Sequence, residues 1–279
     1  MNFDQYKEKF NGSQIDQEEL MRKYMMRMLE EEFRAFEALQ NAQSSSAVSA
    51  AGGGQSPNNL ITEGLLIELD ASKSDSYPGT GTTWFDISGN SNDGTLINGV
   101  SFDGTGIPAI DFDGTNGYVG MGLVNDLTGL INVTVSVFFN PDTVSGTSIP
   151  LSRYNNITYR NGWQFVISDG VFSFGGREDT TQYLNVQSPG IYSAGQWYNL
   201  VGVKSGNVWS FYINGELKKS STLGTGLVPF ADNNMFIGTE NASGYYLNGK
   251  MNSVLVYGRS LTPDEVLQNY NYLKSRYGL

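Results

Sequence analysis

The chain contains no cysteine and no histidine. Disulfides, thiolate nucleophiles, Ser-His-Asp triads and the common zinc, haem and iron–sulfur centres are excluded with them. Only hard, oxygen-liganded metals such as calcium, magnesium or manganese remain. Charge is scarce too. Charged residues are 16% of the 279, and 17 Lys plus Arg face 28 Asp plus Glu, a net charge of −11. Such a surface repels a phosphate backbone or an anionic bilayer, so neither nucleic acid nor a membrane is an expected partner. No run is long enough for a membrane span, and the most apolar stretch, Val133 to Phe139, has the length of a buried strand. Met1 to Gly12 is polar and charged, without the apolar core of a secretory signal, which predicts synthesis inside the cell.

What is abundant is glycine, 34 residues, together with 16 Tyr and 15 Phe. This mixture suits short strands joined by tight turns, and the expected class is all-β. The first 42 residues differ. Asp16 stands as an N-cap with Glu19 three residues on, and Gln17 to Asn41 runs without Gly or Pro, predicting one helix roughly 38 Å long at 1.5 Å per residue. Met21, Met25, Leu29, Phe33 and Phe36 follow a 4-4-4-3 spacing, widened by Met28, so the apolar stripe needs a partner surface. A methionine-rich, loosely heptad stripe adapts to an irregular groove better than it specifies a two-stranded coil. The arm is therefore expected to dock into another protein or to self-associate in a short bundle. Residues 43–60, rich in Ser, Ala and Gly, read as a flexible linker.

From Ile61 to the end the pattern is strands and turns. Leu65, Ile67 and Leu69 alternate with Leu66, Glu68 and Asp70, predicting a half-buried strand with both acids on its exposed side. Ser205-Gly206 and Asn214-Gly215 are hairpin turns that define three antiparallel strands, with Trp209, Phe211 and Ile213 on one face. Trp84, Trp197 and Trp209 alternate with polar neighbours and read as core. Thr262-Pro263-Asp264-Glu265 is a capping box with Pro at the first helical position, opening a short helix to about Arg276. The expected architecture is a two-sheet antiparallel jelly-roll sandwich with a short C-terminal helix, preceded by an N-terminal α-helical arm.

Gly64 to Ala71, Trp84 to Asn90 running on to Gly94-Thr-Leu, Phe112-Asp-Gly114, Thr134 to Pro141, Gln196 to Val201, Tyr212 to Gly215 and Gly249 to Glu265 resemble, in order, the motifs of laminin-G-like jelly rolls of the concanavalin A-like lectin/glucanase superfamily. The resemblance covers residues 61–277. It implies a concanavalin A-like sandwich; because the fold carries lectins, adhesion modules, hydrolases and structural domains alike, it does not select among them. A laminin-G-like domain with a helical arm and no signal resembles a virion appendage or decoration protein of tailed bacteriophages, implying a capsid or other virion partner held by the arm and a virion location.

Three kinds of site are weighed. Catalytic relatives place carboxylates at alternate strand positions; Glu68 and Asp70 have that spacing, but no third acid follows in Ala71-Ser72-Lys73, so no catalytic residue is assigned. The oxygen-rich loops around Asp86 and Asp113 could hold calcium or could be ordinary Asx turns beside glycine. Sugar binding needs an exposed ring with amides beside it, and Tyr245 and Tyr246 near Asn241, Tyr183 and Tyr154 are the candidates. The preferred reading is a non-enzymatic virion structural protein that displays a lectin-like domain toward surface glycans; the alternative is a glycoside hydrolase or free lectin of the same fold.

Overall fold

The computed structural model describes residues 59–155, 161–177, 183–224, 233–242 and 244–277. The expected arm over 1–42, with Met21, Met25, Met28, Leu29, Phe33 and Phe36, and nearly all of the linker lie outside the described residues.

Among the described residues the strands are, in chain order, β1 (Leu65–Asp70), β2 (Thr83–Trp84), β3 (Gly94–Ile97), β4 (Ser101–Asp103), β5 (Ala109–Asp113), β6 (Tyr118–Leu123), β7 (Val133–Pro141), β8 (Thr147–Ser148), β9 (Leu151–Asn155), β10 (Asn161–Ser168), β11 (Val171–Arg177), β12 (Leu184–Gln187), β13 (Tyr198–Ser205), β14 (Val208–Ile213), β15 (Glu216–Thr222), β16 (Asn234–Ile237) and β17 (Asn248–Tyr257). One helix, α1 (Pro263–Ser275), follows. The first sheet has the order β15-β14-β13-β7-β17-β5-β4, with β1 also on β17; the second runs β12-β11-β10-β9-β16-β6-β3-β2, with β8 also on β10. All pairings are antiparallel. The all-β sandwich and its short terminal helix are as the sequence predicts.

Alternation builds the core between the sheets. On β14, Trp209, Phe211 and Ile213 point inward, and on β10 and β11 Trp163, Phe165, Ile167, Phe172 and Phe174 meet them. Phe174 stands 5.2 Å from Trp209 and Phe165 6.1 Å from Phe211, centroid to centroid, so the two sheets interlock through rings. Asn214 and Gly215 take φ of 54° and 76°, the two left-handed residues a tight hairpin needs. The other hairpin is displaced by one residue: Ser205 still pairs with Val208, so its turn is Gly206-Asn207.

The outer face of the first sheet is covered rather than exposed. Phe138, Val201, Val203, Tyr212, Leu255 and Tyr257 pack under Leu60, Ile61, Leu261 and the Val266 and Leu273 side of α1. The capping box forms, with Glu265 N–H donating to Thr262 Oγ1 and Thr262 N–H to the Glu265 carboxylate. Trp197 belongs here and not to the inter-sheet core; it lies half-buried, stacked 5.1 Å above Phe138.

The acids of β1 are also placed differently from expectation. Glu68 and Asp70 are both buried. Glu68 pairs with Lys73 at 2.5 Å, and Asp70 with Arg276, from the end of the chain, at 2.5 Å. The partner that makes burial of Asp70 tolerable is 206 residues away in sequence, so no local pattern announces it.

Candidate glycan-binding groove

The outer face of the second sheet remains open where β8, β10, β11 and β12 lie side by side. Because inward positions of these strands carry the core rings, the alternate positions point out: Gln164, Val166 and Ser168 on β10, Val171 and Ser173 on β11, Asn185 and Gln187 on β12. Together with Thr147 of β8, Tyr183, Glu240 and Tyr245 they line a groove of about 480 Å³. That volume lies within the range of small-molecule sites. Its floor is amide, hydroxyl and small apolar; its ends carry the rings.

Tyr245 is the exposed ring. It is 53% exposed and its backbone has φ of 54°, left-handed geometry that a bulky L-residue adopts at a cost of about 1–2 kcal/mol. The surrounding loop enforces it: Ile149 N–H donates to the Tyr245 carbonyl (2.9 Å), Thr239 Oγ1 to Gly244 O (2.7 Å), and Leu247 N–H to Gly238 O (2.9 Å). Tyr183 is the second ring. It meets Tyr154 edge to face at 6.0 Å, its hydroxyl lies 3.4 Å from Gln164 Nε2, and burial pushes its phenol up to about 12, so it stays protonated. Gln164 is only 5% exposed, yet its Oε1 has no hydrogen-bond partner among the described residues. Glu240 is buried beside it; burial raises its carboxyl above the ordinary carboxylate range, opposed by a hydrogen bond from Gln164.

Of the residues the sequence singled out, Tyr183 and Tyr245 line the groove, and Tyr154, not itself a lining residue, meets Tyr183 edge to face. Asn241 is half-buried next to Glu240 and is not a lining residue. Tyr246 donates its hydroxyl to Ala242 O at 3.0 Å and so ties its own loop. The floor residues Gln164, Ser173, Asn185 and Gln187, and Glu240 at the side, escaped notice; period-2 alternation around Trp163 was the available signal for Gln164.

Asp86 and Asp113 serve turns. Both oxygens of Asp86 accept protein donors, from Glu68, Ser88 and Asn92 N–H at 2.9 Å each and from the Ser88 hydroxyl. Asp113 Oδ1 accepts from Thr115, Asn116 and Gly117 N–H, which holds its pKa below the ordinary value; the Thr115 bond contributes most. A calcium ion would have to displace these donors, and among the described residues no three acidic side chains cluster as metal ligands.

An open polar sheet face with a strained ring at its rim, on a two-sheet antiparallel jelly roll, defines a lectin-like sandwich. Residues 113–267, more than half of the chain, match the laminin-G-like family of the concanavalin A-like lectin/glucanases superfamily, and the chain belongs to it. No curated protein gives a significant match. Among solved structures the fold is similar to the binding domain of botulinum neurotoxin serotype D (TM-score 0.58, 15% identity, 75% of this chain and 52% of that one). It is also similar to the botulinum neurotoxin DC binding domain in complex with SialylT (TM-score 0.60, 13% identity, 76% and 52%). A third similar structure is domain 4 of an extracellular GH43 arabinanase from Geobacillus stearothermophilus, in complex with arabinotriose (TM-score 0.59, 17% identity, 74% and 98%). This chain spans about half the length of the neurotoxin domains it matches.

Proposed function

We propose that the sandwich is a non-catalytic glycan-binding domain whose ligand lies in the groove over β8, β10, β11 and β12. The observation that carries this reading is Tyr245, an exposed ring held in costly backbone geometry above a floor of amides and hydroxyls. An aromatic face for the apolar side of a sugar, with amides to read its hydroxyls, is the chemistry such a ligand requires. That two of the similar solved structures are complexes with SialylT and with arabinotriose supports the reading. Hydrolysis is disfavoured because among the described residues the groove is lined by one carboxylate, Glu240, whereas glycosidic cleavage uses a pair about 5–9.5 Å apart; Glu68 and Asp70 are engaged with Lys73 and Arg276.

A glycan array probed with the multimerised protein tests this. Tyr245→Ala is expected to reduce a positive signal at least ~10-fold, a loss of about 1.4 kcal/mol per site or more. Tyr245→Gly should lose the signal equally while relieving the left-handed backbone, so that a binding loss in both cannot be blamed on misfolding. Silence of the wild-type protein across the array would overturn the proposal.

The role of residues 1–42 as an anchor to a larger assembly, such as a virion, is likewise proposed, on the strength of the Met21 to Phe36 stripe. Replacing Met25, Leu29 and Phe33 together with polar residues is expected to abolish co-sedimentation with that assembly, since each buried apolar side chain contributes about 1.5–3 kcal/mol. Undiminished incorporation of the triple variant would end the anchor reading.

A further inference from the structure

Resting on the groove as a glycan site, we infer that its ligand is an uncharged sugar chain and that the groove rejects uronic and sialic acids, because among the described residues its lining holds an unpaired acceptor and a buried carboxylate but no cation. Gln164 Oε1 is the central observation: the carbonyl oxygen of a groove-lining side chain, buried and with no hydrogen-bond partner among the described residues. A buried acceptor left empty is costly, so the site gains most from a ligand that donates a hydrogen bond there. A hydroxyl does so, on a neutral or an acidic sugar alike, whereas a carboxylate, which only accepts, does not; the acceptor thus calls for a sugar hydroxyl, and rejection of acids rests on charge.

The neighbourhood reinforces the choice. Glu240 lies buried along the same groove, and its carboxyl is already pushed toward the protonated form by loss of water. A second carboxylate brought in by an acidic sugar would face that group across a short, poorly hydrated gap. Among the described residues no Lys or Arg lines the groove, and the one guanidinium whose charge is felt at Tyr183, Arg177, is not a lining residue, so the dehydration of an anion on the floor is poorly repaid. The net charge of −11 opposes approach of acidic polymers from further out. Discrimination of this kind arises from unpaired and like-charged groups rather than from better contacts with the favoured ligand.

The experiment compares neutral arabino- and gluco-oligosaccharides with oligogalacturonates and sialyllactose, by calorimetry on the full chain. The neutral series is expected to bind at least ~10-fold more tightly than the acidic one, reflecting like-charge repulsion. Glu240→Gln should narrow that gap by raising acidic binding. Gln164→Leu, which removes the acceptor without opening a cavity, should weaken neutral binding about 10-fold. Equal affinity for acidic and neutral chains, with both lost in Tyr245→Ala, would overturn the inference while leaving the groove as the glycan site. Absence of binding to either series would overturn the site itself and the inference with it.

Discussion

Replacing Asp86 with alanine is expected to lower stability by about 3 to 5 kcal/mol, since each buried donor left without a partner costs about 1–3 kcal/mol. The carboxylate accepts three backbone N–H groups and a hydroxyl, and its own N–H is received by Asp93 Oδ1 at 2.8 Å. The reason for so dense a loop lies in β1, which among the described residues pairs on one side only, with β17. Its other side is an open edge, and the loop closes it: Ile87 N–H donates to Glu68 O (3.0 Å), while Ser88 Oγ and Asn92 Nδ2 both reach Leu66 O at 3.0 Å. Urea titration should show the midpoint falling at constant slope. Asp86→Asn should fall less, keeping one oxygen acceptor. Added calcium should leave the wild-type midpoint in place. A midpoint that rises with calcium and loses that response in Asp86→Ala would restore the metal reading of this loop.

The second large effect is expected at the chain's far end. Arg276 places Nη1 2.5 Å and Nη2 3.3 Å from the two oxygens of Asp70, whose residue is only 2% exposed. Lys73 stands farther off, at 3.9 Å. Arg276→Met keeps the stem but leaves a buried carboxylate with weaker compensation, for a loss of about 3 kcal/mol, whereas Asp70→Asn with Arg276→Met should recover part of it. The neighbouring Tyr277 is stacked 5.7 Å from Phe138 and donates to Asn252 Oδ1 at 2.9 Å, so the same variant should loosen the end of α1. Thermal unfolding of the single and double variants measures the coupling. Additive losses would show that the pair contributes nothing as a pair.

These two sites mark where sequence reading works and where it stops. The Asn214-Gly215 hairpin, the inward Trp209-Phe211-Ile213 face and the Thr262 capping box were legible because each is fixed by residues within a few positions of one another. Asp86 as an Asx-type organiser was legible as one of two alternatives; which β edge it closes was not. Asp70 looked exposed because Arg276 approaches it only through the closed fold. The groove illustrates the same limit. Gln164, Ser173 and Asn185 are ordinary residues for an outward strand face, and they become a floor only once β10, β11 and β12 are adjacent. Tyr245 reaches them because β16 pairs with β9, which brings the loop after it to this face. Its left-handed backbone, the feature that distinguishes it from the other described tyrosines, leaves no trace in composition or spacing.

The two outer faces of the sandwich are unequal, and this gives the domain a direction. Leu60 and Ile61, where the described chain enters the sandwich, are packed on the covered face of the first sheet, while the groove opens on the second. The described chain therefore enters the sandwich on the side opposite the groove. Tethered directly at Asn59, the domain would keep its groove on the side away from the attachment point. Under the proposed glycan role, several copies on one support would turn weak individual contacts into collective adhesion.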